Sequence, residues 1–151
     1  MNTPVIDYIP HSGTLALINE ITDTGENWIE CSVKPQNSYL FRTPDDKVPS
    51  WIGIEYMAQT IAAFAGWNDS QKGLPVKIGF LLGSRKVTLH TDFFEDDVIY
   101  IRAELVFKDD ELGSFKCSIF STDRTTLLAE ATVNVFQPRN IDQFIQEVKN
   151  K

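Results

Sequence analysis

The sequence predicts a single α+β domain in which an antiparallel β-sheet wraps around one long, apolar helix. The run Ser50–Gly66 is apolar on nearly every face, which is typical of a helix inside a core rather than on a surface. Two strand-like runs precede this helix and four follow it, with turn residues between them. The 151 residues contain no linker or internal repeat, so we expect one domain over residues 1–151.

The N-terminal part of the chain predicts two strands and the start of the helix. Residues Ala16–Thr24 and Trp28–Lys34 are joined by a turn, and the second run alternates between apolar and polar residues. An irregular stretch rich in proline and aspartate follows. Ser50 is then a good N-cap for the helix, and Gly66 a good C-terminal stop.

The rest of the chain predicts a meander of strands and a short terminal helix. The four strand-like runs are Lys77–His90, Val98–Lys108, Gly113–Thr122 and Leu127–Gln137. Residues Asn140–Lys149 form a short amphipathic pattern with Ile141, Phe144, Ile145 and Val148 on one stripe. One helix cannot cover both faces of such a sheet, so the simplest arrangement wraps the twisted sheet around it, which is the hotdog fold. We expect a dimer, because uncovered apolar sheet and unpaired edges are liabilities.

Composition excludes several classes of function. A net charge of −7 argues against a nucleic-acid partner, and no run is long and apolar enough to span a bilayer. The N-terminus does not resemble a secretory signal, so we expect a cytoplasmic protein. Cys31 and Cys117 are then most simply reduced, buried side chains. Together with His11 and His90 they show no metal-ligand spacing, so we expect no metal.

The charge is unevenly distributed along the chain. Between Lys72 and Thr91 every ionised side chain is basic, and a strongly acidic stretch follows. Lys77, Arg85 and Lys86 could therefore attract an acidic partner or a phosphate group. Ordinary clustering of surface charge explains the same pattern and stays open.

Glu55 and Gln59 are the polar residues of note within the apolar helix. They are four residues apart, so both project from one side of the helix. A carboxyl group buried there, beside an amide, would be a candidate for proton transfer. The alternative is a solvated Glu55 on a partly exposed flank of the helix.

Two segments of the chain resemble small bacterial 3-hydroxyacyl-carrier-protein dehydratases. PHSGTLALINEI at Pro10–Ile21 and VPSWIGIEYMAQTIAAFAG at Val48–Gly66 look like their N-terminal and helix motifs. Three strings resemble a narrower group, the dehydratase-like proteins of aryl polyene pigment clusters; they lie at Val48–Gln59, Ile78–Arg85 and Asn134–Pro138. The resemblance covers nearly the whole chain.

The resemblance implies a chemistry for the helix. In the dehydratases a histidine of one subunit removes the proton α to the thioester, and a helix glutamate of the other protonates the leaving hydroxyl. Glu55 and Gln59 match the helix pair, which makes them the expected catalytic residues. The turn Ser50–Gly53 would present backbone N–H groups to the thioester oxygen. The substrate would be carried on the phosphopantetheine of an acyl carrier protein, and no other cofactor is implied.

The chain departs from the family at the histidine. Phe41 occupies that position by spacing from Glu55, and a phenyl ring cannot accept a proton. We therefore expect a heterodimer whose partner supplies the histidine to Glu55, with a homodimer as the other form. His11 has either a catalytic role or a structural hydrogen-bonding role.

The expected substrate-binding residues lie around the start of the helix and in one strand; they are Phe41, Ser50, Trp51, Ile52, Gly53 and Phe80. Lys77, Arg85 and Lys86 are the expected docking residues for the carrier protein. Two alternatives remain: a hotdog thioesterase, in which Glu55 activates water, and a non-catalytic subunit that binds or stabilises an acyl carrier.

Overall fold

The computed structural model describes residues 1–77, 79–138 and 141–150. Within these residues it contains seven strands and two α-helices, joined by short 3-10 turns. The strands are β1 (Thr3–Pro4), β2 (Glu20–Thr24), β3 (Trp28–Val33), β4 (Phe80–Leu89), β5 (Ile99–Asp109), β6 (Leu112–Phe120) and β7 (Leu127–Phe136). The helices are α1 (Gly53–Gln71) and α2 (Ile141–Lys149).

The strands form one antiparallel sheet in the order β1-β2-β3-β5-β6-β7-β4. Helix α1 packs on one face of this sheet, and residues that alternate along β3, β5, β6 and β7 point towards it. The predicted inward face of β3 is confirmed, because Ile29, Cys31 and Val33 are fully buried. This is the predicted sheet wrapped around a central helix.

Both cysteines lie in this inward layer. Cys31 is opposite Ile101 and Cys117 is opposite Ala103, so β5 separates the two thiols. Burial raises the pKa of each thiol to about 12, with a hydrogen bond from Thr60 opposing the rise at Cys31. Both are free thiols and are too strongly protonated to act as nucleophiles near neutral pH.

The ends of the helix differ from the sequence prediction. Residues Ser50–Ile52 form a 3-10 turn, α1 begins at Gly53, and no side chain caps it. Gly66 does not end the helix, which continues to Gln71. Glycine is needed there because the backbone of Tyr8 crosses the helix so closely that a Cβ on residue 66 would lie 1.9 Å from the Tyr8 carbonyl oxygen. The glycine marks a crossing point rather than a terminus.

The other boundaries are closer to expectation. Strand β2 is shorter than predicted at its N-terminus, since Leu17 is held by a side chain of α1. The meander strands begin and end within a few residues of the predicted runs. Helix α2 is present, but Asn140, where we expected it to begin, lies outside the described residues, as does Ile78 at the start of the β4 run.

Strand β4 is the exposed edge of the sheet. It pairs with β7 on one side, and no described strand pairs with its other side. In the single chain all but one of its residues are exposed. The exposed apolar side chains of β4 are Phe80, Leu81, Leu82, Val87 and Leu89. A long edge of this composition is unsuited to contact with water.

The outer face of the sheet carries one well-ordered polar cluster. The Glu30 carboxylate accepts hydrogen bonds from Arg124 Nη2 at 2.8 Å and Thr22 Oγ1 at 2.7 Å. The Arg124 guanidinium also lies 3.7 Å from the centre of the Tyr100 ring. Burial alone would raise the pKa of Glu30, but these two hydrogen bonds and the charges of Arg124 and Arg102 outweigh it, so that pKa is lowered.

We expect Glu30→Gln to lower the free energy of unfolding at neutral pH by about 1–3 kcal/mol, as for hydrogen bonds to a charged group. The pKa of Glu30 is lower in the folded protein than the unfolded value of about 4.3, so the ionised carboxylate stabilises the folded state above that pH. This stabilisation is lost as the pH falls through the folded pKa. Urea unfolding measured over that pH range should therefore give the unmodified protein and Glu30→Gln similar free energies of unfolding in acid. The exposed Glu104, on the same face, provides the control Glu104→Gln. Equal losses for both variants at neutral pH would contradict the assignment.

Candidate active site

The site is assembled by the side chain of Gln59, which fastens the N-terminal segment to α1. Gln59 Oε1 accepts a hydrogen bond from the Leu17 backbone N–H at 2.8 Å. Its Nε2 donates to the Leu15 carbonyl at 2.7 Å. The amide is 1 % exposed, so these bonds form away from competing water. This attachment brings the segment that contains His11 beside the first turns of the helix.

Glu55 lies where this segment meets α1. Its Oε1 accepts a hydrogen bond from Gln59 Nε2 at 3.2 Å and lies 3.9 Å from His11 Nε2. The Glu55 side chain is 40 % exposed and that of His11 is 30 % exposed. Of the two readings of the sequence, the structure therefore favours the partly exposed carboxylate. Glu55 does not point into open solvent, however, because it lines two cavities.

The first cavity has a volume of about 350 Å³ and a mostly apolar wall. Its lining residues are His11, Leu15, Leu17, Phe41, Trp51, Ile52, Ile54, Glu55 and Gln59. The structure thus brings together three of the six predicted substrate-binding residues, Phe41, Trp51 and Ile52. Trp51 is 58 % exposed, while Ser50 and Gly53 are buried beneath the lining. Phe80 does not line this cavity.

The second cavity is a groove of about 850 Å³ that runs along α1. His11 and Glu55 line both cavities, so the two spaces meet at this pair. Ala58, Ala62 and Ala65 lie along the groove, and Phe80 forms part of its wall. The lining residues within α1 extend from Glu55 to Asp69, about 21 Å along the helix. An extended chain could lie in this groove with its reacting end at Glu55.

The backbone N–H groups at the start of the helix are largely engaged. Ser50 N–H donates to the Asp92 carbonyl at 2.9 Å and Ile52 N–H to the Pro49 carbonyl at 3.2 Å. Gly53 N–H donates to the carbonyls of the same turn. Within Ser50–Gly53, the expected stabilisation of a thioester oxygen therefore depends on the Trp51 N–H.

The three predicted docking residues do not form one compact patch. Lys77 Nζ lies 4.0 Å from Asp69 Oδ1, at the far end of the groove. Arg85 and Lys86 lie on the exposed edge strand β4, about 26 Å further along an extended chain. Lys86 has a φ of 52° where the pairing of β4 with β7 shifts register.

His11 lies in the wall of the first cavity, next to Glu55. The structure places Phe41 in the first cavity wall, but the histidine in that wall is His11. The available signal was the Pro10–Ile21 string itself, which resembles a family motif and carries this histidine. Spacing along the chain could not show that Gln59 would bind the segment to the helix.

Other classes of site are not supported by the described residues. No group of three or more His, Cys, Asp or Glu among them is arranged to hold a metal ion. None of the helices in the described ranges is long and apolar enough to cross a membrane.

Comparison with known proteins finds a family model and a solved structure that match nearly the whole chain. A family model described as ApeP-like, ApeP dehydratase, matches residues 3–146. The solved structure of the dehydratase heterocomplex ApeI:P from Xenorhabdus doucetiae matches with a TM-score of 0.88 and 29 % identity. That match covers 96 % of this chain and 97 % of the other. No curated protein matches the chain.

More distant structures share the fold. A hypothetical thioesterase protein with coenzyme A from Streptococcus pneumoniae has a TM-score of 0.59 and 16 % identity, over 79 % of this chain and 84 % of that one. A mutant thioesterase from Staphylococcus aureus has a TM-score of 0.58 and 14 % identity, over 78 % and 90 %. At this level of identity, the structural similarity shows that the chain shares the hotdog fold with these proteins, but it carries no information about activity.

Proposed function

Because the chain belongs to the ApeP-like dehydratase family, we propose that it is the glutamate-bearing subunit of a 3-hydroxyacyl-thioester dehydratase of the aryl polyene type. A second hotdog subunit supplies the histidine base. The observation that carries the proposal is the placement of Glu55 at the junction of two cavities, with one oxygen held by Gln59. The cytoplasm remains the expected location.

The proposed reaction removes water from a 3-hydroxyacyl thioester carried on the phosphopantetheine of an acyl carrier protein. The partner's base takes the proton α to the thioester carbonyl, and the electron pair of that C–H bond forms the Cα–Cβ double bond. The Cβ–O bond breaks as Glu55 donates a proton to the departing hydroxyl, which leaves as water. The product is a trans-2-enoyl thioester. The Trp51 N–H would stabilise the negative charge that develops on the thioester oxygen. No further cofactor is needed.

Two features of this chain support a heterodimer. Phe41, which by its spacing from Glu55 takes the place of the family's histidine, lines the first cavity and cannot remove a proton. The exposed apolar strand β4 also requires a cover, and a second hotdog sheet can pair with it edge to edge. The similar ApeI:P structure is itself described as a heterocomplex of dehydratases.

The direct test combines this chain with a candidate partner, the ApeI subunit of the similar ApeI:P heterocomplex. A 3-hydroxyacyl carrier protein is incubated with this chain, with the partner and with the mixture, and the carrier-bound products are weighed by mass spectrometry. We expect loss of one water in the mixture and little or none with this chain alone. Release of free acid would instead identify a thioesterase, and binding without turnover in every combination would identify a non-catalytic subunit.

A variant of β4 links assembly to activity in that experiment. Leu82 is 59 % exposed on the edge strand, so Leu82→Lys should leave the chain folded. It should weaken the complex in sedimentation velocity and reduce dehydration in parallel. Full activity from a mixture that no longer associates would contradict the shared site.

We further propose that basic side chains guide the acidic carrier protein to the groove. At low salt we expect Lys77→Glu to weaken carrier-protein binding roughly fivefold, because charge complementarity mainly affects encounter. The difference should shrink at high salt, where exposed charges are screened. Lys116→Glu, exposed on β6, is the matched control. Equal binding of Lys77→Glu and the unmodified chain at low salt would exclude a role for Lys77; Arg85→Glu tests the β4 residues in the same way.

A further inference from the structure

The two oxygens of Glu55 have different surroundings. Oε1 accepts the hydrogen bond from Gln59 Nε2 at 3.2 Å, and His11 Nε2 lies 3.9 Å from the same atom. Both described contacts of this carboxyl group thus involve Oε1. No described contact involves Oε2, and the Glu55 side chain lines both cavities. The arrangement divides the carboxyl group into a fixed oxygen and a reacting oxygen.

The surroundings of His11 indicate which of its nitrogens carries the proton. Its Nδ1 is buried and has no hydrogen-bond partner. A buried N–H without an acceptor is rare and costly, and an unpaired acceptor atom is better tolerated. A proton on Nδ1 would also leave the bare lone pair of Nε2 facing a carboxylate oxygen. The neutral ring with its proton on Nε2 avoids both problems, because the protonated nitrogen is then the one that lies 3.9 Å from Glu55 Oε1.

This tautomer argues against His11 as the general base. Its free lone pair is on Nδ1, and that atom is enclosed by protein. A base must come within hydrogen-bond reach of the proton it removes. Nε2 does border the cavities, but it carries a proton and acts as a donor.

We propose that His11 is a positioning residue whose Nε2–H, together with the amide of Gln59, fixes Glu55 Oε1 so that Oε2 delivers the proton to the leaving hydroxyl. The inference rests on the proposed function, since it assigns a role within that site. The segment that bears His11 is held by the hydrogen bonds of Gln59 to Leu15 and Leu17, so one amide orients both neighbours of the carboxyl group. The separation of 3.9 Å is longer than a hydrogen bond, so the proposal requires the two atoms to approach when substrate binds, as catalytic hydrogen bonds commonly tighten in the complex.

The first experiment compares three variants of His11 in the assembled complex. A glutamine amide nitrogen can occupy the place of Nε2, whereas an asparagine amide reaches only that of Nδ1. We expect His11→Ala and His11→Asn to lower kcat by roughly 10- to 100-fold, as for loss of a supporting hydrogen bond, with little change in KM. His11→Gln should retain kcat within about fivefold. Thermal unfolding of each variant verifies that it is folded.

Two kinetic outcomes would overturn the proposal. If His11→Gln is as inactive as His11→Ala, the imidazole itself transfers a proton, and His11 is a base. If all three variants have the kcat of the unmodified complex, His11 does not contribute to the positioning of Glu55 Oε1. In a Glu55→Gln background, His11→Ala should cause no further loss, because residues that act through one group are not additive.

A second experiment does not depend on activity and so separates this inference from the proposed function. Nitrogen-15 NMR of the ring reports which nitrogen is protonated, and His11→Gln identifies the His11 signals against those of His90. We expect a proton on Nε2 and none on Nδ1 at neutral pH. A proton on Nδ1 would sink the positioning role even if the mixture dehydrates its substrate. The expected tautomer in a mixture that does not dehydrate would instead count against the proposed function alone.

Discussion

Glu55→Gln is expected to lower the dehydration rate of the heterocomplex by about 10²- to 10⁴-fold, which is the usual contribution of a general acid or base. The amide is nearly the same size as the carboxyl group and can still occupy the junction of the two cavities, but it cannot donate a proton to the leaving hydroxyl. The loss should therefore be in kcat rather than in KM. Steady-state kinetics with a 3-hydroxyacyl carrier protein measure both.

The controls for this prediction address assembly and surface charge. Glu26→Gln, in the exposed turn between β2 and β3, removes the same charge far from the cavities and should leave kcat unchanged. Sedimentation of the Glu55→Gln mixture should show the complex intact, since Glu55 contacts its own chain. Undiminished dehydration by an intact Glu55→Gln complex would exclude Glu55 as the acid and with it the proposed function.

The sheet and the core could be predicted from sequence because their signals are local. Alternation along β3 identifies Ile29, Cys31 and Val33 as inward-facing, since a strand presents successive side chains to opposite faces. The predominantly apolar sequence of the first part of α1 identifies that helix as central for the same kind of reason. These patterns depend on the neighbours of each residue along the chain.

The helix ends and the surroundings of Glu55 could not be predicted, because they depend on segments distant in sequence. Ser50 has the sequence signature of an N-cap. In the structure its backbone N–H donates to the Asp92 carbonyl, beside an isolated bridge between Pro49 and Phe93 in the loop before β5. Gln59 is 42 residues from Leu17, to which it binds. The apolar sequence around Glu55 suggested burial, but the groove beside α1 leaves its side chain partly open. Tertiary contacts here override local preference.

The three predicted docking residues show a related limit of prediction from sequence. Lys77, Arg85 and Lys86 are close in the sequence, but an extended strand carries them apart, so Lys77 stands at the groove while the other two lie along the sheet edge. A run of like charges becomes a patch only when the backbone folds it together. The carrier-docking proposal consequently gives most weight to Lys77.

Gly66→Ala is expected to destabilise the protein, although alanine within a helix is normally better than glycine. Helix propensity alone favours the substitution by about 1 kcal/mol. Against this, the new Cβ would lie 1.9 Å from the Tyr8 carbonyl oxygen and 2.8 Å from the adjoining carbonyl carbon. These are backbone atoms, which cannot rotate away as the end of a side chain would. Either α1 or the turn Val5–Asp7 must therefore move.

That movement would also separate packed aromatic rings, because the Tyr8 and Trp67 centroids are 5.3 Å apart. Overpacking costs about 1–3 kcal/mol, and a clash with backbone atoms at 1.9 Å should lie at the upper end of that range, about 3 kcal/mol. After subtraction of the propensity gain of about 1 kcal/mol, we expect a net loss of about 2 kcal/mol. Urea unfolding measures the loss directly. Gly83→Ala, where no atom lies within 4 Å of the new Cβ, is the matched control and should change stability much less. A stabilised Gly66→Ala protein would mean that the N-terminal segment yields freely, and that Gly66 is neither a terminus nor a required crossing point.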